Sequence, residues 1–143
     1  MSTLQLHHIY PVIALVFLTF GIMVLMGKRR FAAIRNGSIP PGYFKDYQQK
    51  EPFLIPTDVQ VATRHYNNLF EQPVLFYALI PLLLLTNEAD NVTLYFSWGY
   101  VAARYGHAII HVTTNKLMLR MRLFTIGSFI LLLLWSKFLW QLL

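Results

Sequence analysis

From Ile9 to Gly27 the chain carries no charged side chain, and every residue from Pro73 to Leu85 is apolar or aromatic. At 1.5 Å per residue the first run is long enough to cross a hydrocarbon core of about 30 Å. A backbone in that medium must satisfy its own hydrogen bonds, so it folds as helix. The rest of the 143 residues agrees, with 56% hydrophobic and only 13% charged, about half the charged share of a soluble domain. A soluble chain of this length would expose apolar surface that it lacks the polar residues to cover. The formal charge of +6 invites a nucleic-acid reading, but the basic residues lie between apolar runs and not along a water-compatible face. No nucleic acid is therefore expected as a partner. The absence of cysteine excludes a disulfide framework, a thiolate metal site and a cysteine nucleophile. Any sulfur chemistry has to come from a bound thiol.

The fold expected is all-α and integral to a membrane, a single domain over 1–143 with four spans, near 9–27, 58–85, 92–112 and 123–143. The cluster Lys28, Arg29, Arg30 follows the first apolar run instead of preceding it, so the run reads as a span stopped at a surface and not as a cleaved leader. Loop 28–57 contains Gly37, Pro40, Pro41, Gly42, Pro52 and Pro56, which break regular helix. Its Phe31, Tyr43, Phe44, Tyr47 and Phe53 place parts of it in the membrane interface. Thr57 or Asp58 is the expected N-cap of the second span, and Pro73 should kink that span, with Pro81 a second bend. A short acidic link, Thr86 to Asn91, leads to the third span, and Lys137 near the end of the fourth can snorkel to the far interface.

Seven Lys or Arg residues (Lys28, Arg29, Arg30, Arg35, Lys45, Lys50 and Arg64) fall around the first connection, and Lys116, Arg120 and Arg122 around the third. By the positive-inside rule both connections face the cytoplasm and both termini face away, with a bacterial inner membrane as the expected host. Asn91-Val92-Thr93 fits the glycosylation sequon, in a link too short for the match to carry meaning.

An ionisable group inside a span costs about 2.5–3.5 kcal/mol, yet two adjacent spans carry several. Arg64, Asn68 and Glu71 lie at i, i+4 and i+7, on one helix face with Tyr66 and Asn67 beside it. Arg104, His107, His111 and Asn115 form a second stripe. The short link makes the two helices antiparallel neighbours, so the stripes can face each other near the cytoplasmic side. One reading is an internal network in which Glu71 pairs with Arg64 or Arg104. Three potential cations (Arg64, Arg104, Arg120) against one carboxylate, Glu71, leave positive charge at depth, and such a pocket wants an anion. His107 and His111 have the i, i+4 spacing of two metal ligands, but with no third thiolate and no carboxylate beyond Glu71 no metal is expected. A proton-coupled transporter is a third class, for which four spans without an inverted repeat leave little room.

Four spans, a basic stop after the first, Arg64-x-x-x-Asn68-x-x-Glu71 opening the second, and Arg104-x-x-His107 followed by Arg120 resemble the MAPEG family, the membrane-associated proteins of eicosanoid and glutathione metabolism. The resemblance covers nearly the whole chain. It implies a homotrimer of four-helix protomers with glutathione held between subunits, open to the cytoplasm. Arg64, Asn68 and Glu71 would hold the charged ends of the tripeptide, with Arg104 and His107 assisting. Arg120 would stand beside the sulfur, and His111 would share in its activation. The implied activity is conjugation of lipophilic electrophiles or reduction of lipid hydroperoxides, the second substrate entering from the membrane lipid; the alternative is a non-catalytic protein that keeps the fold and an anion-binding pocket. Two positions depart from the family's pattern. A tyrosine is common where this chain has His111, and Tyr66 stands where histidine is frequent, while His65, displaced by one, should point elsewhere.

Overall fold

The structure, a computed structural model, describes residues 3–40, 42–46 and 54–143. These contain only helices and connections: α1 (Thr3–His7), α2 (Ile9–Arg35), α3 (Tyr43–Asp46), α4 (Thr57–Asn68), α5 (Gln72–Leu85), α6 (Asn91–Val112) and α7 (Leu117–Leu142). Pro41, Tyr47, Lys50, Pro52 and Phe53, assigned by sequence to the interfacial loop, lie outside the described residues. Three stretches are long and apolar enough to cross a membrane: Thr3–Arg35, Thr57–Leu85 and Leu117–Leu142. With its 22 residues α6 is long enough, but Arg104, His107, His111 and its other polar groups leave it less apolar than those three.

Helix α2 does not stop at the basic cluster. It runs 27 residues, about 40 Å, to Arg35. Lys28, Arg29 and Arg30 are good helix formers, so a cluster read from the sequence as the stop of a span leaves the helix intact. The stop comes at Gly37, whose φ of 76° closes the last turn while Asn36 N–H donates to Ala32 O and Gly37 N–H to Ile34 O. Arg29 also has a local task. Its guanidinium donates to Asp58 O at 2.9 Å and to Val112 O at 2.8 Å, so it caps the carbonyl end of α6 from the neighbouring helix.

The second span is broken rather than kinked. Pro73 can neither donate to the carbonyl of Leu69 nor avoid it, and Leu69–Glu71 forms a turn in which Leu69 N–H still reaches His65 O while Phe70 and Glu71 N–H reach Asn67 O and Asn68 O. Helix α5 restarts at Gln72 with Pro73 in its first turn, where no donor is required, and Glu71 at its N-cap. Pro81 is accommodated inside α5 without ending it. At the other end the N-cap of α4 is Pro56, not Thr57 or Asp58, and it makes no side-chain cap bond. Helix α7 begins at Leu117, earlier than expected, so Arg120 and Arg122 sit in its first turns and the third connection shrinks to 113–116. Asn115 is consequently off the α6 stripe, in that turn, at a left-handed φ of 48°.

α6 packs along α7, α2 lies against α4, α5 and α6, and α5 reaches α7. Leu15, Leu18, Leu79, Leu83, Val101, Leu131 and Leu134 fill the centre, with the Phe76 and Tyr100 rings stacked at 5.0 Å. Phe17, Phe20, Leu132, Leu139 and Trp140 point outward. This distribution suits lipid, where helices associate through packing and polar contacts and not by hiding apolar surface from water. A smaller cluster of Ala33, Ile39 and Val59, with Tyr43, Phe44 and Ile55 against it, fastens the loop side of α2 to α4.

The acidic link is tied down at several points. Asp90 and Thr93 form a reciprocal capping box at the start of α6. Lys137 donates to Asp90 Oδ2 at 2.9 Å, and Gln141 Nε2 to Glu88 Oε2 at 2.9 Å, so the end of α7 closes on the link. His8 bridges Leu4 O and Thr93 Oγ1, both at 3.0 Å. Thr93 is thus fully buried, and the sequon it completes is engaged in structure.

Candidate functional site

The break between α4 and α5 shapes the site. It stops the second helix just after Asn68 and leaves Glu71 at the start of the next one, so a carboxylate stands beside a helix N-terminus with α6 and α7 opposite. A cavity of about 350 Å³ opens there. Arg64, Asn68 and Glu71 line it from the broken rod, His107 and His111 from α6, and Arg120 with Met121, Phe124 and Thr125 from α7. Two guanidinium groups and one carboxylate therefore share its wall.

Six of the seven residues singled out from the sequence meet in this cavity: Arg64, Asn68, Glu71, His107, His111 and Arg120. Arg104 stands behind it, fully buried. Its Nη2 donates to Asn68 Oδ1 at 2.6 Å and to Asn68 O at 3.2 Å, while Asn68 Nδ2 donates to Glu71 Oε2 at 3.0 Å. Only one orientation of the amide serves both neighbours, because a guanidinium can only donate and a carboxylate only accepts. Asn68 is thus a relay between a buried cation and a carboxylate at the cavity. Among the described residues no carboxylate lies within 4 Å of Arg104. Its Nε and Nη1 have no hydrogen-bond partner, and the face of Phe124 lies 5.8 Å from its charge centre.

The two arginines on the wall are held lightly. Arg64 donates to Gln60 Oε1 at 3.4 Å, and Arg120 to Asn115 Oδ1 at 2.7 Å. Neither bond neutralises a charge, so both remain available to an anion. Asn115, displaced from its expected stripe, still contributes by holding Arg120.

The histidines are organised more closely than their spacing implies. His107 Nδ1 lies 3.0 Å from Arg120 O. A carbonyl only accepts, so Nδ1 carries the proton and Nε2 the lone pair. His111 Nδ1 lies 2.9 Å from Nδ1 of His65, a fully buried residue of α4. His65 does not point elsewhere, as its one-residue displacement suggested; its ring centroid is 4.9 Å from that of His111 and 5.4 Å from that of His107. The periodicity of α4 explains this. His65 falls three residues after Ala62 and four before Leu69, on the buried stripe of that helix. An ionisable residue on the apolar stripe was the available signal. Tyr66, beside the cavity stripe, instead packs edge-on against Phe70 at 5.1 Å.

The sequence model of the MAPEG family matches residues 8–140 of the chain. No curated protein and no solved structure matches it.

Proposed function

The chain belongs to the MAPEG family, and on that premise we propose that it is a glutathione-dependent membrane enzyme that activates the thiol for attack on lipophilic electrophiles or lipid hydroperoxides. The observation that carries this reading is the charge pattern of one cavity, with Arg64 and Arg120 against Glu71 on its wall. Glutathione has two carboxylates and one ammonium, and guanidinium forks suit the carboxylates while Glu71 suits the ammonium. Asn68 and the buried Arg104 hold Glu71 in place for that role.

Arg120 beside the thiol favours the thiolate over the free group's pKa of about 8.5. With Nδ1 of His111 committed to His65, Nε2 is the nitrogen it has left for the cavity, as hydrogen-bond donor to the thiolate or acceptor of its proton. In conjugation the sulfur lone pair forms the new carbon–sulfur bond and the leaving group departs with its electrons. In peroxide reduction the sulfur attacks the terminal oxygen, the O–O bond breaks and the alcohol leaves, and a second glutathione resolves the sulfenic acid to disulfide with loss of water. In this reading α6 crosses the membrane beside the three more apolar stretches, three protomers associate, and the greasy substrate arrives along the lipid-facing helices.

Equilibrium binding of glutathione to detergent-purified protein tests the proposal, together with the rise in thiolate absorbance on binding. Arg120→Ala should abolish the absorbance change. Absence of glutathione binding by the folded wild type overturns the reading. The hydrogen-bonded series Arg104–Asn68–Glu71 favours one second reading, a structural network in a non-catalytic protein. Glu71→Ala separates the two: the enzyme loses glutathione affinity with its assembly kept, whereas the network protein loses its assembly with or without ligand.

A further inference from the structure

His65, His107 and His111 come from two helices, are all buried, and each offers a nitrogen such that the three lie within 4.8 Å of one another. We propose that they form a site for one zinc ion at the back of the cavity. In a tetrahedral zinc site with bonds of 2.0–2.1 Å, ligand nitrogens stand about 3.4 Å apart. The 2.9 Å between Nδ1 of His65 and Nδ1 of His111 already brackets that spacing from below, and small ring rotations set the remainder.

Three details of the cluster suit a metal better than a hydrogen-bond network. Three neutral imidazoles cannot satisfy one another, and His65, fully buried, is left with an Nε2 that has no partner. Metal at Nδ1 of His65 and of His111 replaces a contact between two nitrogens that share a single proton, and fixes the proton of each ring on Nε2. His107 donates its Nδ1 proton to a backbone carbonyl, Arg120 O, which is how ligand histidines are usually oriented by their outer shell. Finally, the position of the cluster leaves room for a fourth ligand. His107 and His111 line the cavity and His65 stands behind them, so the open coordination position faces the cavity.

The chemistry of the donors narrows the ion to the transition metals that imidazole suits, zinc among them. Three imidazoles without a carboxylate exclude calcium and magnesium, which require oxygen ligands. The guanidinium groups of Arg104 and Arg120 oppose a dication, so the fourth ligand is anionic: hydroxide, or a thiolate when one occupies the cavity. Zinc so placed polarises whichever of these it holds. The site does not rest on the glutathione reading; a chain that binds glutathione but no zinc overturns this proposal and leaves that one standing.

The test uses full-length protein without an affinity tag, purified in detergent, stripped with a chelator and titrated with Co²⁺ as a spectroscopic probe. One Co²⁺ per chain should bind with the visible absorption of a tetrahedral centre and be displaced by Zn²⁺. His65→Phe should lose this uptake while His7→Ala, at an exposed position outside the cluster, keeps it. No uptake by the folded wild type, or full uptake by a folded His65→Phe, overturns the proposal. If His65→Phe does not fold, the paramagnetic spectrum of wild type loaded with one Cu²⁺ decides, because its nitrogen hyperfine pattern counts bound imidazoles. Coupling to three supports the site, and coupling to fewer overturns it.

Discussion

Arg104 has a buried charge whose hydrogen bonds go to a single neutral residue, Asn68, through both its side chain and its backbone. Desolvating a guanidinium is costly, so the bonds it makes matter more than their number suggests. Asn68→Ala removes the stronger contact and leaves both Arg104 and Glu71 short of a partner. The expected loss of stability is about 3 kcal/mol, in the range for stranding a buried charged group. Arg104→Met should recover part of that loss in the Asn68→Ala background, since a flexible apolar side chain there strands no charge. Chemical denaturation of the two single variants and the double variant, followed by circular dichroism, measures the coupling. Additive losses would show that the relay carries no energy between these residues.

At the level of elements, two joints hold the helices in register: the break before Pro73 and the closure of α7 on the acidic link. The first takes Glu71 out of α4 and sets it at the N-cap of α5, on the same cavity as Arg64 and Asn68. The second depends on Asp90, which serves α6 as N-cap and α7 as the partner of Lys137. Burial alone would raise the Asp90 carboxyl, but hydrogen bonds from Lys137 and Thr93 outweigh it and hold the group below its ordinary 3.8. A carboxyl depressed by folding adds stability that is present in full above the unfolded value and is lost as pH falls through the folded one. Thermal melting of wild type should therefore weaken as the pH is taken below about 4. Asp90→Asn, which keeps a capping side chain but cannot pair with Lys137, should melt lower at neutral pH, and the gap should narrow in acid. A gap independent of pH would show that the pairing contributes nothing.

Among the described residues, α2, α4 with α5, α6 and α7 expose apolar side chains and bury polar groups such as His65 and Arg104 between them, while the end of α2 and the acidic link occupy opposite ends. If α6 crosses the membrane, its two flanking connections lie on opposite sides. A chain without cysteine makes this easy to examine. Single cysteines at Asn87 and at Lys116, both exposed, should react with a membrane-impermeant maleimide from opposite faces, Lys116→Cys only from the cytoplasmic one. Labelling of both from the same face would remove α6 from the spans.

Some of this was legible in the residues themselves. The apolar runs dictate helices because lipid offers the backbone no other partner, and the 3.6-residue period places Arg64 and Asn68 on one face of α4, with Glu71 reaching the same cavity across the turn that follows. The family match over 8–140 agrees with the motif those residues form. Boundaries were less legible where charge and helix propensity disagree: Lys28–Arg30 read as the stop of a span, but α2 ends only where Gly37 takes up a left-handed turn. The turn at Leu69–Glu71, closed by bonds to Asn67 O and Asn68 O, is one of several ways a helix accommodates Pro73, and a proline alone does not specify which. That the two stripes face each other was legible, but the individual contacts between helices were not. That Arg104 lies behind the cavity and reaches Asn68, that His107 leans on the backbone of α7, and that His65 meets His111 follow from how α4, α6 and α7 are rotated and seated against one another. Local sequence determines which side of a helix a residue occupies; the partner on that side is decided only when packing sets distance and rotation together.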